Sequence, residues 1–597
     1  MTNVLCLLAS LLTLSAIPSA ADASLEARRK ALNDLLEEQW EYTLRASPLY
    51  ASFLGDKRYN DQLDDFSQKH IDEDLEQTRR FLERFEAIDT TGFPEQEALN
   101  KQLMVRDLKI TLEGAKFKNW EMPVNQFDGV HLSLPQLVNV LSFASVKDYE
   151  DYISRLHKMP VMFDQTIVQM RKGMADGLMP PKLLLEQVVT QSDGIAQTPA
   201  EKTPFAQPFD KFPGAVAEAD RKRLRDAGLA AIRDEVLPAY VKFTAFVRDE
   251  YAPKGRSEPG VWALPDGPER YAFRVKEATT TNFTPEEIHQ IGLAQVKLIE
   301  DHMLGVAQQL EYPDLKSFYA SIPKNPKVHV HSREEILDLY RKYIDQMYTK
   351  LPDLFGRLPK GKLEVMPIEE FREKGASTHY MEGTVDGSRK AHVMVNTGDF
   401  EKRTTLEVET TSYHEGVPGH HLQISVAQEL PDLPPFRQHE YYTAYTEGWA
   451  LYAEELGKEV GFYQDPYSYY GHLQDDMLRA IRLVVDTGFH YKHWTRQQVV
   501  DFFHDHSAID EPEVQEETDR YSAWPAQALG YKIGQLEIFK LRQYSKDQLG
   551  DKFDIKAFHD EVLAGGALPL DVLGQRIHEW VAMQKAQASQ SAGTRGQ

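Results

Sequence analysis

The feature that most constrains this chain is a proline–glycine pair inside a cluster of histidines. Residues 413–421 read Tyr-His-Glu-Gly-Val-Pro-Gly-His-His. On an unbroken helix His420 would lie about 120° around the axis from His414, so the two rings could not share an ion. Pro418 has no N–H and its ring collides with the carbonyl four residues back, while Gly419 permits a positive φ. The pair therefore predicts a local break that brings His420 beside His414.

The residue types around this break are those of a metal site. Three histidines and Glu415 lie close together in the sequence, and a second carboxylate, Glu447, follows on the next predicted helix. Imidazole nitrogens and carboxylate oxygens are zinc ligands, and catalytic zinc keeps one position open for water. The inventory fits a His/His/Glu zinc site with an extra glutamate as general base. The alternative is a surface turn that joins two helices and carries incidental histidines.

The two motifs resemble a known signature. His-Glu-x-x-Pro-Gly-His followed by Glu-Gly-Trp-Ala is similar to that of the DUF885 family, bacterial proteins grouped with zincin-type metallopeptidases whose third ligand is a downstream glutamate. The resemblance implies a gluzincin-type metallopeptidase site with one Zn²⁺ per chain. Further blocks extend the resemblance over most of the mature chain: Leu-Pro-Asp-Gly (264–267), Asp-Gly-Ser-Arg (386–389), Val-Asn-Thr (395–397), Arg-Leu-Val-Val-Asp-Thr-Gly (482–488) and Gln-Ala-Leu-Gly-Tyr-Lys-Ile-Gly (527–534).

This resemblance implies roles for the motif residues. His414 and His420 would bind zinc through imidazole nitrogen, with Glu447 as third ligand and water in the fourth position. The family pattern favours His420, and His421 is its rival as second ligand. Glu415 would act as general base toward that water and hand the proton to the leaving amine.

A donor for the developing oxyanion is expected in a late helix. Related peptidase families place a tyrosine there, often with a basic neighbour. By that resemblance Tyr531 is the first candidate and Tyr521 the second, with Arg520 and Lys532 as carboxylate or oxyanion partners. The alternative for each tyrosine is a core position with a tethered hydroxyl.

Four polar residues fall on one face of another predicted helix. They are Arg479, Arg482, Asp486 and His490, at spacings of three, four and four. This face predicts either an ordinary ion-pair network or a wall of the cleft. In the second case Arg482 and His490 are candidate substrate-binding residues, because an arginine can hold a substrate carboxylate.

Charge and cysteine content exclude several classes of function. The 597 residues carry a net charge of −24, which argues against nucleic acid and anionic membrane surfaces as partners. The only cysteine is Cys6, so a mature chain would have no disulfide and no thiolate ligand. Residues 1–23 combine an apolar core with small residues and predict a signal peptide, with an uncleaved anchor as the alternative. We therefore expect a periplasmic or secreted protein without stable membrane insertion after signal removal.

Most of the remaining sequence has helical periodicity. Apolar residues recur at spacings of three and four, for example over 25–46 and 146–176. We expect a mainly α, large two-lobed metallopeptidase-like fold. Its parts are an N-terminal helical lobe at 24–255, a catalytic zincin-like lobe at 256–585 and a disordered tail at 586–597.

A small β region precedes the motif helix. Residues 362–367 and 391–397 are strand-like runs flanked by turn residues. In zincin-type peptidases an edge strand beside the metal pairs with extended substrate, so the resemblance makes 391–397 the candidate substrate strand. Arg389 and Asn396 are then candidate substrate-binding residues. A purely structural hairpin is the alternative.

These expectations describe an exported zinc-dependent hydrolase, a metallopeptidase that cleaves short or extended peptides in a cleft between lobes. Two alternatives stay open. The same metal chemistry could hydrolyse a non-peptide amide or ester, or the chain could be a catalytically silent helical binding protein of the same fold. No motif in the sequence identifies the substrate, the mode of cleavage or the oligomeric state.

Overall fold

The computed structural model describes residues 24–368, 373, 377–383, 390–430 and 433–594. Within this part of the chain most residues are helical, and the strands form one small sheet. The predicted fold class is confirmed as mainly α with a small β region. Amphipathic periodicity is the physical reason, because a helix with one apolar stripe buries that stripe against its neighbours.

The N-terminal helices build a core of their own. The apolar residues that α5 to α9 and their connections bury between 124 and 252 form one continuous cluster. Two π-helical turns, Ile232–Val236 and Val247–Tyr251, follow α8 and α9. The helices are α1 (Leu25–Ala46), α2 (Pro48–Phe53), α3 (Gln68–Glu86), α4 (Glu95–Gly114), α5 (Val130–Val140), α6 (Val146–Asp176), α7 (Lys182–Ala196), α8 (Glu218–Ala231) and α9 (Leu237–Phe246).

The C-terminal helices bury two further apolar clusters: α18 packs along α22 in the larger one, and α11 packs along α19 in the other. They are α10 (Gly267–Thr279), α11 (Pro285–Gln309), α12 (Leu315–Ser321), α13 (Arg333–Tyr348), α14 (Leu351–Leu354), α15 (Val408–Glu415), α16 (His420–Gln428), α17 (Pro435–Gln438), α18 (Thr443–Glu459), α19 (Pro466–His490), α20 (Arg496–His506), α21 (Glu511–Ala523), α22 (Leu529–Leu549), α23 (Ile555–Leu563) and α24 (Leu570–Thr594).

The division into two lobes stays a prediction, and α4 contacts both halves of the chain. Leu99 and Leu103 of α4 belong to the large C-terminal core. The same helix makes an ion pair between Arg106 and Asp571 at 2.8 Å. The first helices are therefore joined to the C-terminal half by apolar contact as well as by charge.

The small sheet corrects one expectation. Its strands are β1 (Leu363–Pro367), β2 (His379–Met381) and β3 (Ala391–Val395), in the order β1-β3-β2. β1 and β3 confirm the two predicted strands, but β3 is central, paired in parallel with β1 and antiparallel with β2. The expectation that 391–397 is an edge strand open to substrate is therefore wrong, because both sides of β3 are already paired. The two edges of the sheet are β1 and the short strand β2.

Three further expectations concern the ends and one turn of the chain. The predicted signal peptide, 1–23, and the turn 386–389 lie outside the described residues. Helix α24 extends to Thr594, into the segment expected to be a disordered tail. Among the described helices, none combines the length and apolar character that a membrane crossing requires.

Candidate metal centre

Helices α15 and α16 are two parts of an interrupted helix, as the proline–glycine pair predicts. α15 ends at Glu415 and α16 begins at His420, and the backbone N–H of Gly419 reaches back to the carbonyl of Tyr413 at 2.9 Å. Gly419 has a φ of −75°, so the positive φ that glycine permits is not used. Glycine is required for another reason, since a Cβ there would lie 2.0 Å from the carbonyl oxygen of His414.

Helix α18 is packed tightly against this break. The indole Nε1 of Trp449 donates a hydrogen bond to the carbonyl of Pro418 at 2.9 Å. The same helix crosses α22 where Gly448 meets Gly534, and a Cβ on Gly448 would lie 2.5 Å from the Cα of Gly534. Both contacts are next to Glu447 in the sequence. Close helix packing therefore sets the position of the Glu447 carboxylate.

The break brings together two histidines and this glutamate. His414 Nε2 and His420 Nε2 lie 3.5 and 3.6 Å from the same oxygen of Glu447, Oε2. All three residues are buried, and one ligand atom from each lies within 4.8 Å of the others. In a tetrahedral site with metal–ligand bonds of about 2.1 Å, neighbouring ligand atoms are about 3.4 Å apart. The two measured separations are close to that value, and this donor set fits Zn²⁺.

His421 is turned away from this group. Its Nδ1 lies 3.3 Å from the hydroxyl of Tyr380 and 3.3 Å from Oγ of Ser425, and its side chain is buried. Burial lowers the pKa of His421 to about 4. The neutral ring packs against Tyr380 of β2 and Ser425 of its own helix, α16. His420 is therefore the histidine that the fold places beside His414.

The outer nitrogen of His414 has its own carboxylate partner. Nδ1 of His414 lies 2.7 Å from Oε1 of Glu454, and the second oxygen of Glu454 accepts a hydrogen bond from Thr410 at 2.8 Å. Glu447 and Glu454 are seven residues apart on α18, so they share one face of the helix. Such a carboxylate fixes the tautomer of the histidine and directs the other nitrogen, Nε2, toward a metal.

We expect Glu454→Gln to weaken Zn²⁺ binding by about 10- to 100-fold, because the histidine loses its charged orienting partner. Titration with a fluorescent zinc chelator as competitor measures this change. Glu459→Gln is the matched control, since it removes a carboxylate from the same helix that pairs with Arg542 and not with His414. Equal zinc affinity in both variants would show that Glu454 does not support the site.

Glu415 is held by β2. Its Oε2 accepts a hydrogen bond from the backbone N–H of Tyr380 at 2.8 Å. The other oxygen, Oε1, has no hydrogen-bond partner among the described residues. On the opposite flank, the Tyr441 hydroxyl donates to Oε1 of Glu447 at 2.6 Å. Sequence reasoning missed both tyrosines, since β2 is three residues long and Tyr441 precedes its helix.

One cavity of about 470 Å³ contains the metal group and extends to an arginine cluster. Arg482 makes a bidentate ion pair with Glu517, at 2.9 and 3.1 Å, and its guanidinium lies 4.8 Å from the centre of the Tyr531 ring. Arg520 donates to Glu517 at 3.0 Å and to the Tyr531 hydroxyl at 3.4 Å. Burial disfavours the charged form of Glu517, but the two arginines lower its pKa to about 2. Two guanidinium groups thus face one ionised carboxylate.

Two more carboxylates line the same cavity. Asp475 accepts a hydrogen bond from Arg479 at 2.6 Å. Glu513 lies further along the wall, where desolvation and the carboxylates of Glu517 and Asp475 raise its pKa to about 7. Glu513 is therefore only partly ionised near neutral pH.

Two predicted site residues lie away from the cavity. Tyr521 is fully buried and its hydroxyl donates to Glu517, so it supports the arginine cluster from behind. His490 accepts a hydrogen bond from the backbone N–H of Val261 at 3.0 Å and faces the carbonyl of Tyr521 at 2.9 Å. Burial lowers the pKa of His490 to about 3. Neither side chain lines the space beside the metal group.

Two further predicted substrate-binding residues, Lys532 and Asn396, are also not brought to the metal group. Lys532 is buried in an ion pair with Asp476 at 2.5 Å and does not line the cavity. Asn396 follows β3 and donates to the carbonyl of Glu373 at 2.8 Å, which fixes a loop. Arg389 lies outside the described residues.

Fold and site together define a mainly α-helical protein with a buried His/His/Glu group suited to a metal ion. The chain belongs to the DUF885 family: it matches the family described as "Bacterial protein of unknown function (DUF885)" over residues 48–577. The structure is similar to that of "the putative lipoprotein from Colwellia psychrerythraea", with 29% identity and a TM-score of 0.88 over 93% of this chain and 99% of the other. A search of curated proteins gives no match.

A second solved structure shows the same fold. It is "a putative lipoprotein of unknown function from Shewanella oneidensis", with 17% identity and a TM-score of 0.70 over 93% of this chain and 99% of that one. At this identity the likeness concerns the fold alone.

Proposed function

We propose that this protein is an exported zinc-dependent hydrolase, a metallopeptidase that acts on short or extended peptides. One observation carries the proposal. The His414, His420 and Glu447 ligand atoms are spaced as around a shared ion, and Glu415 lines the same cavity. A His₂Glu set with an open position is typical of catalytic zinc, whose charge polarises a carbonyl and lowers the pKa of water.

Glu415 is the general base of the proposed reaction. The hydrogen bond from the backbone of Tyr380 occupies Oε2 and leaves Oε1 to accept a proton. Oε1 takes a proton from the attacking water as the water oxygen forms a bond to the carbonyl carbon. Glu415 then gives that proton to the amide nitrogen as the C–N bond breaks, so that an amine and a carboxylic acid are released.

Tyr531 is the proposed donor to the oxyanion. Its hydroxyl accepts a hydrogen bond from Arg520, so its own proton is available to an oxygen in the cavity. Arg482 donates hydrogen bonds to Glu517 through Nε and Nη2, so its Nη1 has no partner among the described residues. We assign Arg482 and Arg520 to a substrate carboxylate, because guanidinium groups bind carboxylates in fixed geometry.

Export and substrate size complete the proposal. The relative from Colwellia psychrerythraea carries the name of a lipoprotein, and residues 1–23 have the composition of a signal peptide. The net charge of −24 supports a partner other than nucleic acid. A cavity of about 470 Å³ holds a few residues, which supports a peptide or a small amide as substrate rather than a folded protein.

The test is hydrolysis by zinc-loaded protein of a mixed peptide library, followed by mass spectrometry and by labelling of new amines. We expect cleavage that stops when zinc is removed by dialysis against 1,10-phenanthroline and returns when zinc is restored. Small amides and esters are assayed in parallel, since the same chemistry would cleave them. If neither the peptides, the amides nor the esters gave a metal-dependent product, the proposal would be contradicted and a catalytically silent binding protein would be favoured.

A further inference from the structure

A second and larger cavity adjoins the metal site. It measures about 1050 Å³ and is lined by residues next to the metal site and by residues of the N-terminal helices. Five residues border both cavities, so the two spaces adjoin each other. They are His379, Tyr380, Ile424, Tyr441 and Thr446.

The wall of this second cavity is largely apolar and comes from separate parts of the chain. Helices α2 and α5 contribute from the N-terminal half, and β2, β3 and α16 contribute from the half that carries the metal group. Its apolar lining includes Phe53, Leu54, Pro135, Val138, Met394, Ile424 and Ala427. Because α2 and α5 supply none of the three candidate metal ligands, substitutions on these helices can change the second cavity without removing a ligand.

Charge distinguishes the two adjoining cavities. Among the described residues that line the second cavity none is a lysine or an arginine. Its two acidic residues are Glu382 and Glu440, and burial together with Asp107 raises the pKa of Glu440 to about 8. The cavity that contains the metal group is lined by Arg482 and Arg520. A substrate anion would therefore bind beside the arginines, and the apolar lining of the second cavity favours an apolar group.

We propose that the second cavity binds a large apolar group on the acyl side of the scissile amide. In this arrangement a free carboxylate held by Arg482 and Arg520 ends the leaving side of the substrate, and the acyl side extends into the second cavity. The substrate class is then amides with a bulky apolar acyl part, such as short peptides with apolar residues or N-acyl amino acids. This inference rests on the proposed function, which supplies the amide bond between the two ends.

The first test varies only the acyl group. Zinc-loaded protein is given N-acyl phenylalanines whose acyl chain grows from acetyl to decanoyl, each with a free or an amidated carboxylate. We expect kcat/KM to rise by about three- to fourfold for each CH₂ that is buried, until the cavity is filled. Amidation should lower kcat/KM by at least tenfold across the series. Rates that do not depend on acyl length would overturn the inference.

The second test places the effect in the cavity. Val138→Trp narrows the space from α5, while Val241→Trp adds the same side chain on α9 at a position that is 50% exposed and lines neither cavity. We expect Val138→Trp to lower kcat/KM at least tenfold for the decanoyl substrate and to leave kcat/KM for the acetyl substrate unchanged. Asn139→Trp, in the same wall, serves if Val138→Trp does not fold. Equal rates in all these variants would contradict the assignment.

A binding measurement separates this inference from the proposed function. The Glu415→Gln protein is titrated calorimetrically with the same acyl series, so that turnover plays no part. Binding that strengthens with acyl length and weakens in the Val138→Trp background supports the cavity assignment, even if no substrate is hydrolysed. In that case only the proposed function would fail. Affinity that depends neither on acyl length nor on the Val138→Trp substitution would overturn the inference, whether or not hydrolysis is seen.

Discussion

Replacing Glu415 with glutamine should lower kcat/KM on any cleaved substrate by about 10³-fold and leave one zinc ion per chain. General acid–base catalysis contributes about 10²- to 10⁴-fold, and glutamine cannot accept the proton of the attacking water. The amide keeps the shape of the carboxylate, and its oxygen can still accept the hydrogen bond from Tyr380. Steady-state kinetics together with elemental analysis of the same sample measure both parts of the expectation.

The control for this variant is Glu401→Gln, which removes an exposed carboxylate that does not line the cavity. It should behave as the unmodified protein in both measurements. Loss of zinc along with activity in Glu415→Gln would show that this glutamate supports the metal group rather than the reaction. Full activity with zinc retained would mean that the proposed mechanism is wrong even though a metal is bound.

The fold was predictable where local pattern decides it. Spacings of three and four produce α1 and α6 at the positions where the sequence places them, because each helix buries its own apolar stripe. Strands β1 and β3 were also readable from composition. The strand order was not readable from the sequence. β2 has only three residues, too few to show an alternating pattern, and its pairing with β3 is a tertiary contact.

The site was predictable by residue type and less so by direction. His414, His420 and Glu447 meet because the motifs supply the ligands and the proline–glycine pair breaks the helix between the two histidines. Arg482 reaches the cavity while His490, two turns further along α19, is enclosed by Val261 and Tyr521. Helical spacing shows only which residues lie on the same face of a helix. Which of those residues reach the cavity depends on the elements that pack against that face.

The same limit applies to the two late tyrosines. Tyr521 and Tyr531 belong to different helices, α21 and α22, which are separated by a short non-helical connection. Their relative direction therefore follows from that connection and not from helical spacing. Tyr531 faces the cavity, and Tyr521 packs in the core with its hydroxyl on Glu517.

Replacing His420 with alanine should abolish stoichiometric zinc binding, whereas His421→Ala should keep one zinc ion per chain. Adjacent residues on a helix point about 100° apart, so only one of the two histidines can face a given ion. His420 Nε2 lies 3.6 Å from Glu447 Oε2, while His421 contacts Tyr380 and Ser425 instead. Loss of one of three protein ligands leaves two, which is below the number that holds catalytic zinc.

The measurement is elemental analysis of freshly purified protein and of protein incubated with zinc and then desalted. His421→Ala is the internal control, because it removes the same type of buried ring from the next position of α16. Thermal unfolding of each variant, with and without zinc, adds a second readout, since an ion that binds only the folded state raises Tm. Zinc should raise the Tm of His421→Ala and leave that of His420→Ala unchanged. The opposite pattern would make His421 the ligand. If neither variant nor the unmodified protein bound zinc, the metal centre itself would be contradicted.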